Sequence, residues 1–274
     1  MVVRGILFLF FLFVSSCSVD MLGLFVSSDQ DVRLKDKNTF HIVTERKIAN
    51  LGDTYEFLVA TDTHIYEGGA YGLERLNQVI GNAKFAAVLG DITENGSEED
   101  VRTFRRIAES LSVPCYPVIG NHDVFFNNWR NWRDIIGSTS YRIDGFSGGS
   151  ESGNPIVTLF IIDTANASFG EAQLNWLEKE LKTAGNRVFI FTHTNLFVES
   201  VYDIQQLTDI RERARIMSIL DGRCDALFTG HLHKRLIKTI GSVQYITIED
   251  FKRHKTYCRV TVSPEGFSYT FESL

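Results

Sequence analysis

The sequence predicts an α/β protein with a largely parallel sheet, because short apolar runs alternate with amphipathic helical stretches along most of its 274 residues. Buried parallel strands appear in a sequence as such short apolar runs. Five of these runs are followed, directly or after one threonine, by a polar motif that contains aspartate, asparagine or histidine. Sites in open α/β sheets form just beyond the carboxyl ends of the strands. We therefore expect the five motifs to converge on one site, and their side chains are typical metal ligands.

Each predicted strand delivers its own motif. The pairs are Phe57–Ala60 with Asp62-Thr63-His64, Ala86–Leu89 with Gly90-Asp91, Pro117–Ile119 with Gly120-Asn121-His122-Asp123, Phe189–Phe191 with His193, and Ala226–Phe228 with Gly230-His231-Leu232-His233. At an extended strand end, residues i and i+2 face the same side, so Asp62 and His64 would reach one metal. The two imidazoles of the last motif would point to one side for the same reason. Alone, the Asp62 and Gly90 motifs are weak evidence and the Gly120 motif is more specific, but chance does not readily place all five at strand ends.

Helices are predicted between the strands. Ser97 to Asp100 reads as a capping box, and the stripe that follows it is Val101, Phe104, Ala108 and Leu111. A second helix is marked by Leu174, Leu177 and Leu181, with Gly185 placed to end it. After His233 the pattern changes to short strands, which predict antiparallel hairpins on a second sheet or a sheet edge: Leu236–Ile240, Val243–Ile248, Tyr257–Val262 and Phe267–Phe271.

The N-terminus has the pattern of a secretory signal. Arg4 precedes the apolar segment Ile6–Val14, which is too short to span a bilayer as a helix. Small residues and Cys17 follow, and this run resembles the lipobox of bacterial lipoproteins. The resemblance implies that residues 1–16 are a signal peptide, that Cys17 is acylated, and that the protein is an extracytoplasmic, membrane-anchored bacterial lipoprotein. An ordinary signal peptide with a chance cysteine is the alternative.

The remaining composition fits one globular domain. The hydrophobic content is 44% and the formal net charge is −6, so no broad nucleic-acid-binding surface is expected. We expect a tether with an edge strand in residues 17–53, the strand at Phe40–Val43, and a single domain over 54–274. Without Cys17, three cysteines remain, and an odd number argues against a disulfide framework. The oligomeric state stays open.

The five motifs, in this order, resemble those of the calcineurin-like metallophosphoesterase superfamily. The resemblance covers the chain from about Tyr55 to its C-terminus, and every motif is intact. It implies two mixed β-sheets packed in a sandwich and flanked by helices, a four-layer arrangement. It also implies two divalent metal ions. Nitrogen and oxygen ligands without thiolate leave manganese, iron, zinc and cobalt open as their identity.

The resemblance assigns a role to each site residue. The first metal would be bound by Asp62, His64 and His233, with Asp91 as the bridge to the second metal. The second metal would be completed by Asn121, His193 and His231. His122 matches the position that protonates the leaving oxygen, and Asp123 matches the partner that orients it.

The implied activity is hydrolysis of phosphoesters by attack of a metal-bridged hydroxide. Two differences from known subfamilies narrow the range of expected substrates. Glu94 stands three residues after Asp91, where purple acid phosphatases carry a tyrosine, and no arginine follows at the position expected of Ser/Thr protein phosphatases. We therefore expect a small phosphodiester substrate, with phosphomonoesters and cyclic nucleotides as alternatives. A non-catalytic surface lipoprotein that uses the fold for binding is the rival hypothesis.

One further segment has two interpretations. Trp129, Arg130, Trp132 and Arg133 follow the third motif closely. They would form a substrate wall if the tryptophans stack on a base and the arginines pair with phosphate. A short helix with both tryptophans packed inward is the favoured interpretation.

Overall fold

The computed structural model describes residues 29–42, 46–148, 153–197, 207 and 209–274. Two mixed β-sheets form its centre. The seven-stranded sheet has the order β1-β5-β6-β7-β8-β10-β9, and its strands are β1 Lys47–Ile48, β5 Tyr141–Gly145, β6 Val157–Ile161, β7 Arg187–Phe191, β8 Ala226–Thr229, β9 Leu236–Ile240 and β10 Val243–Thr247. The five-stranded sheet has the order β12-β11-β2-β3-β4, and its strands are β2 Tyr55–Ala60, β3 Ala83–Leu89, β4 Cys115–Val118, β11 Thr256–Ser263 and β12 Gly266–Ser273.

Seven α-helices lie in the described residues: α1 Gln30–Arg33, α2 Leu76–Val79, α3 Glu98–Ser110, α4 Trp129–Ile135, α5 Glu171–Glu180, α6 Ile210–Leu220 and α7 Phe251–His254. Short 3-10 turns extend several of them, at Leu34–Asp36, Leu73–Arg75, His122–Asn127 and Leu181–Thr183. None of these helices is long and apolar enough to cross a membrane.

Three apolar cores produce the four layers. The central core joins the inner faces of both sheets and is rich in aromatic rings; Phe57 of β2 stacks on Phe85 at 4.7 Å and meets Phe189 of the other sheet edge-on at 5.3 Å. A second core buries the outer face of the five-stranded sheet under α3 and α4. A third does the same for the seven-stranded sheet under α5 and α6. The predicted four-layer sandwich is therefore confirmed.

The predicted C-terminal hairpins are present, but they join different sheets. β9 and β10 pair antiparallel at the edge of the seven-stranded sheet, where β10 also runs parallel to β8. β11 and β12 pair antiparallel in the five-stranded sheet, where β11 lies against β2. The five-stranded sheet is mixed because this hairpin is added to the parallel strands β2, β3 and β4. The seven-stranded sheet contains a further antiparallel pair, β5 and β6, besides its own hairpin.

The two predicted helices form, with one difference at an end. Ser97 caps α3, as expected, by accepting a hydrogen bond from the Asp100 backbone at 3.2 Å. The other helix, α5, ends at Glu180 and continues as a 3-10 turn, so Gly185 is not its terminating residue. Gly185 instead allows a close approach, since a Cβ there would lie 2.5 Å from the Pro155 carbonyl oxygen.

The segment before the first long strand packs on the domain. Its polar composition suggested a tether, yet α1 is docked through a fully buried ion pair between Arg33 and Asp163, with Nε and Oδ2 2.7 Å apart. The carboxylate of Asp31 accepts hydrogen bonds from the first turn of α5. In the stretch expected to form an edge strand, Phe40 makes a single bridge to Gly137, and β1 is the edge strand instead. Residues 1–16 and Cys17 lie outside the described residues.

Candidate metal centre

The five motifs meet at one end of the sandwich. β2, β3 and β4 bring their motifs from one sheet, while β7 and β8 bring theirs from the other. Each motif begins within two residues of the end of its strand. The expected metal ligands therefore gather from both sheets: Asp62, His64, Asp91, Asn121, His193, His231 and His233.

The donor atoms form two groups. Those of Asp62, His64 and His233 lie within 4.8 Å of one another, and so do those of Asp91, His193 and His231. In the first group, Asp62 Oδ1 is 3.1 Å from His233 Nε2. The first group holds the three residues expected to bind the first metal, and the second holds Asp91 with two of the residues expected to bind the second.

The second group is centred on His193. Its Nε2 atom is 3.2 Å from Asp91 Oδ2, 3.1 Å from Asn121 Oδ1 and 3.1 Å from His231 Nδ1. Its Nδ1 atom is 2.8 Å from the Leu89 carbonyl oxygen. Because a carbonyl oxygen only accepts, Nδ1 carries the proton and Nε2 is the nitrogen that can bind a metal.

The backbone at the ligands is not extended, contrary to the sequence argument. Asp62, His64, Asp91, His231 and His233 all have φ between 44° and 70°. This left-handed region is rare for residues other than glycine, and residues held in it tend to cluster at functional sites. The paired side chains converge because the chain turns sharply after each strand, and not because alternate residues of a strand share a face.

Motif glycines make the convergence possible. A Cβ on Gly120 would lie 2.1 Å from the Asp91 backbone nitrogen, and one on Gly230 would lie 2.4 Å from Asp62 Oδ2. A Cβ on Gly90 would meet the His193 ring at 2.5 Å. Each glycine thus leaves room for a ligand that another motif provides.

The electrostatics suit cation binding. Burial works against ionisation of Asp62, but its hydrogen bond with His233 and the nearby His193 lower its pKa to about 2. Asp91 is also fully buried, and the neighbouring histidines hold its pKa well below the usual value. Burial, together with His193, lowers the pKa of His231 to about 4. The site therefore offers two carboxylates and a neutral imidazole.

Unpartnered nitrogens provide an independent test of fit. His231 Nε2 and His64 Nε2 are buried without a hydrogen bond, whereas His64 Nδ1 faces Glu94 Oε2 at 3.1 Å. Buried polar atoms without partners are costly unless a further ligand satisfies them. The donor set therefore fits divalent cations bound by nitrogen and oxygen.

His122 is held by a residue other than the expected one. The Nδ1 atom of His122 is 2.7 Å from the backbone oxygen of Glu94, so Nδ1 carries a proton and donates it to this oxygen. The Nε2 atom lies 3.9 Å from Asp91 Oδ2. The Asp123 carboxylate does not reach the His122 ring. The orienting role implied for Asp123 thus belongs to the Glu94 carbonyl in this structure.

Asp123 instead ties two motifs together. Its carboxylate accepts hydrogen bonds from the backbone of Thr93 at 2.8 Å and of Gly120 at 2.9 Å, and from the Thr93 hydroxyl at 2.8 Å. Burial and the neighbouring Asp91 raise its pKa to about 6 despite these bonds. The residue fixes the loop that carries Asn121 against the loop that carries Asp91.

Two residues at the site were not identified from the sequence. Glu94 drew notice only as a departure from other subfamilies, yet it contacts both His64 and His122. Lys252 of α7 forms an ion pair with Glu94, with Nζ and Oε2 3.0 Å apart. Lys252 is 158 residues from Glu94 in the sequence. Because no motif surrounds it, the sequence did not indicate that it lies at the site.

The tryptophan segment packs inward, as the favoured interpretation held. Trp129 and Trp132 of α4 are buried in the core over the five-stranded sheet. Arg133 pairs with Asp134 on the surface, 2.7 Å apart, and lies over the Trp129 ring. The helix thus covers the sheet with its aromatic face.

The sequence profile of the calcineurin-like phosphoesterase family matches residues 55–235. The chain belongs to this family, and is accordingly a hydrolase of phosphoesters whose relatives typically use two metal ions. It is 28% identical over 204 residues to a protein of Arcobacter nitrofigilis named "Probable glycerophosphodiester phosphodiesterase GpdQ", covering 64% of this chain and 70% of that one. It is 21% identical over 222 residues to a "Probable cyclic nucleotide phosphodiesterase" of Fibrobacter succinogenes, covering 74% and 80%.

Solved structures share the fold at low identity. A dimetal phosphatase from Danio rerio matches with a TM-score of 0.58 at 15% identity, covering 80% of this chain and 98% of that one. GAP50, described as the anchor in the inner membrane complex of Plasmodium, matches with a TM-score of 0.62 at 15% identity, covering 80% and 84%. These likenesses concern the fold alone.

Proposed function

We propose that the protein is a binuclear metal-dependent phosphodiesterase. The observation that carries the proposal is the pair of adjoining ligand groups, with His122 beside them. Asp62, His64 and His233 would hold one cation, and Asn121, His193 and His231 the other, with Asp91 between them. When bound, two divalent cations acidify water and neutralise charge on the phosphoryl oxygens.

The chain itself would position the reactants and move one proton. With a proton on each ring nitrogen, His122 would deliver the one on Nε2 to the leaving oxygen, while the Glu94 carbonyl keeps the ring in place through Nδ1. The bonds that Asp123 accepts would hold the Asn121 and Asp91 loops at a fixed separation. The short distances between motifs support this assignment of roles.

The names of the relatives support a diester substrate. Both curated relatives are named as phosphodiesterases, one for glycerophosphodiesters and one for cyclic nucleotides. A substrate panel tests the proposal: bis-p-nitrophenyl phosphate, p-nitrophenyl phosphate, glycerophosphodiesters and cyclic nucleotides, each with manganese, zinc, iron or cobalt. We expect metal-dependent turnover with diesters preferred. A preference for monoesters with every metal would contradict it.

The rival hypothesis is a non-catalytic binding protein. GAP50, which shares the fold at 15% identity, is described as an anchor, and this description is what favours the rival. An intact set of ligands and the placement of His122 weigh against it for this chain. If the protein binds two metal ions per chain but shows no turnover with any of the four metals, the non-catalytic hypothesis would be favoured.

We also propose, from the sequence alone, that Cys17 carries a lipid anchor and that the protein is extracytoplasmic. The apolar segment Ile6–Val14 and the small residues before Cys17 support this proposal. Replacing Cys17→Ala in cells of a lipoprotein-forming bacterium should abolish incorporation of labelled palmitate. Unchanged labelling would exclude Cys17 as the acceptor.

A further inference from the structure

Glu94 links two walls of the candidate site. Its carboxylate Oε2 is 3.1 Å from His64 Nδ1 and 3.0 Å from Lys252 Nζ, and its backbone oxygen holds His122. Lys252 is itself anchored at the site, because its backbone nitrogen donates to the Asp62 carbonyl oxygen at 3.1 Å. A carboxylate and an ammonium are therefore fixed beside the residues that would contact the substrate.

This charge pair is accessible to a solute. The side chains of Glu94 and Lys252 are 36% and 31% exposed, whereas those of Asp62 and Asp91 are almost fully buried. A donor atom of Glu94 also lies within 4.8 Å of donor atoms of His64 and His122. An arriving phosphoester would thus meet the pair without any rearrangement of the core.

We infer that the Glu94–Lys252 pair determines specificity, favouring singly charged phosphodiesters over doubly charged phosphomonoesters. The inference rests on the proposed phosphodiesterase function. A carboxylate repels a dianion more strongly than a monoanion at the same position. Lys252 offsets part of this repulsion and prevents the carboxylate from excluding diesters as well.

The two members of the pair have opposite expected effects. Without the carboxylate, the Lys252 ammonium attracts the dianion, so the relative activity on monoesters rises. Without the ammonium, the Glu94 carboxylate is no longer offset, so the relative activity on monoesters falls. A pair that only supported His64 would lower both activities together and leave their ratio unchanged.

The test compares two esters that share a leaving group. The full chain is assayed with p-nitrophenyl phosphate and bis-p-nitrophenyl phosphate at pH 8, where the monoester is a dianion. The ratio of kcat/KM for monoester to diester should rise about tenfold in Glu94→Gln and fall severalfold in Lys252→Met. The double variant should give a ratio between those of wild type and Glu94→Gln, because Lys252 offsets only part of the repulsion.

Matched controls separate this effect from general disturbance. Lys255→Met removes a lysine of the same region, since both Lys252 and Lys255 contact the Tyr71 ring, but only Lys252 forms an ion pair with Glu94. Glu98→Gln removes an exposed carboxylate that pairs with Arg102. Both controls should keep the wild-type ratio. Metal content is measured for every variant, so that a lost cation is not taken for altered selectivity.

A binding measurement keeps this inference separate from the proposed function. Calorimetry on the metal-loaded chain compares the Kd of inorganic phosphate, mostly dianionic at pH 8, with that of dimethyl phosphate, a monoanion. The ratio of the two affinities should move in the same directions as the kinetic ratio. If wild type hydrolyses neither ester, the affinities still test the charge selectivity, and the proposed function alone fails. Ratios within twofold of wild type in both single variants, with metals retained, would overturn the inference.

Discussion

The ligand side chains of this protein depend on an unusual backbone. Five of the seven expected ligands have a left-handed φ, and this conformation costs about 1 kcal/mol or more for each residue other than glycine. The strain persists because buried neighbours and hydrogen bonds between motifs fix the turns. At the scale of single residues, the site is therefore defined as much by backbone turns and glycines as by the ligands.

Gly120 provides a direct test of this close packing. In Gly120→Ala, the new Cβ would overlap the Asp91 backbone nitrogen, so the Asp91 carboxylate must move. We expect loss of at least one bound cation, measured by elemental analysis of the purified protein, with circular dichroism to show that the fold is retained. Gly266→Ala is the control, because nothing lies within 4 Å of its Cβ position. A folded Gly120→Ala protein with two bound cations would contradict the packing argument.

His122 is tested through the leaving group. Because a general acid typically contributes 10²- to 10⁴-fold, His122→Ala should lower turnover of alkyl or nucleotide diesters by about that factor. Turnover of bis-p-nitrophenyl phosphate should fall much less, since p-nitrophenolate leaves with little protonation. Equal losses on both kinds of ester, measured as kcat under saturating metal, would remove His122 from this role.

At the scale of elements, the segment before the first long strand is part of the domain. Arg33 donates to both oxygens of Asp163 and to Asn166, and neither partner of the ion pair is exposed. A buried charge that loses its partner is strongly destabilising, whereas replacing both partners with apolar groups can be nearly neutral. The ion pair therefore makes the fold depend on α1.

The ion pair gives a prediction for stability. Arg33→Met should lower the free energy of unfolding by about 3–5 kcal/mol, because it leaves the Asp163 carboxylate buried and unpaired. The double variant Arg33→Met, Asp163→Leu should recover much of this loss. Chemical denaturation of the three proteins measures both effects. A change below about 1 kcal/mol in the single variant would mean that α1 is not held by this contact.

The sequence predicted the strands and helices better than it predicted how they pack together. Apolar runs identified the strands, and the cap at Ser97 identified α3, because these signals are local. The docking of α1 was not foreseen, since it depends on a pair 130 residues apart. The sequence also could not predict which sheet each C-terminal hairpin joins. The alternation of apolar and polar residues along a strand is the same in either sheet.

The candidate site, too, was predictable in its local features and not in those that depend on the folded backbone. The types and order of the expected ligands were predicted, and the structure gathers six of the seven in two groups, with Asn121 beside the second. The left-handed turns could not be predicted, because aspartate and histidine, although enriched in this conformation, adopt it in only a small minority of cases. The Glu94 carbonyl at His122 is a backbone atom, which no residue type reveals.

At the scale of the whole molecule, the site joins the two sheets. The expected ligands follow β2, β3 and β4 of one sheet and β7 and β8 of the other. Cations bound here would therefore stabilise the packing of the sheets against each other. Each cation should add about 2.7 kcal/mol at 100 times its Kd. Thermal unfolding with and without manganese measures this, and an unchanged Tm would contradict it.

The most direct test counts the cations and relates them to activity. The full chain is stripped with chelator and titrated with manganese or zinc while bis-p-nitrophenyl phosphate hydrolysis is followed, in wild type and in Asp91→Asn. We predict two cations per chain in wild type, with activity appearing only as both are bound, and loss of both properties in Asp91→Asn. Undiminished hydrolysis by the stripped protein, or a fully active Asp91→Asn variant, would contradict the proposed metal centre.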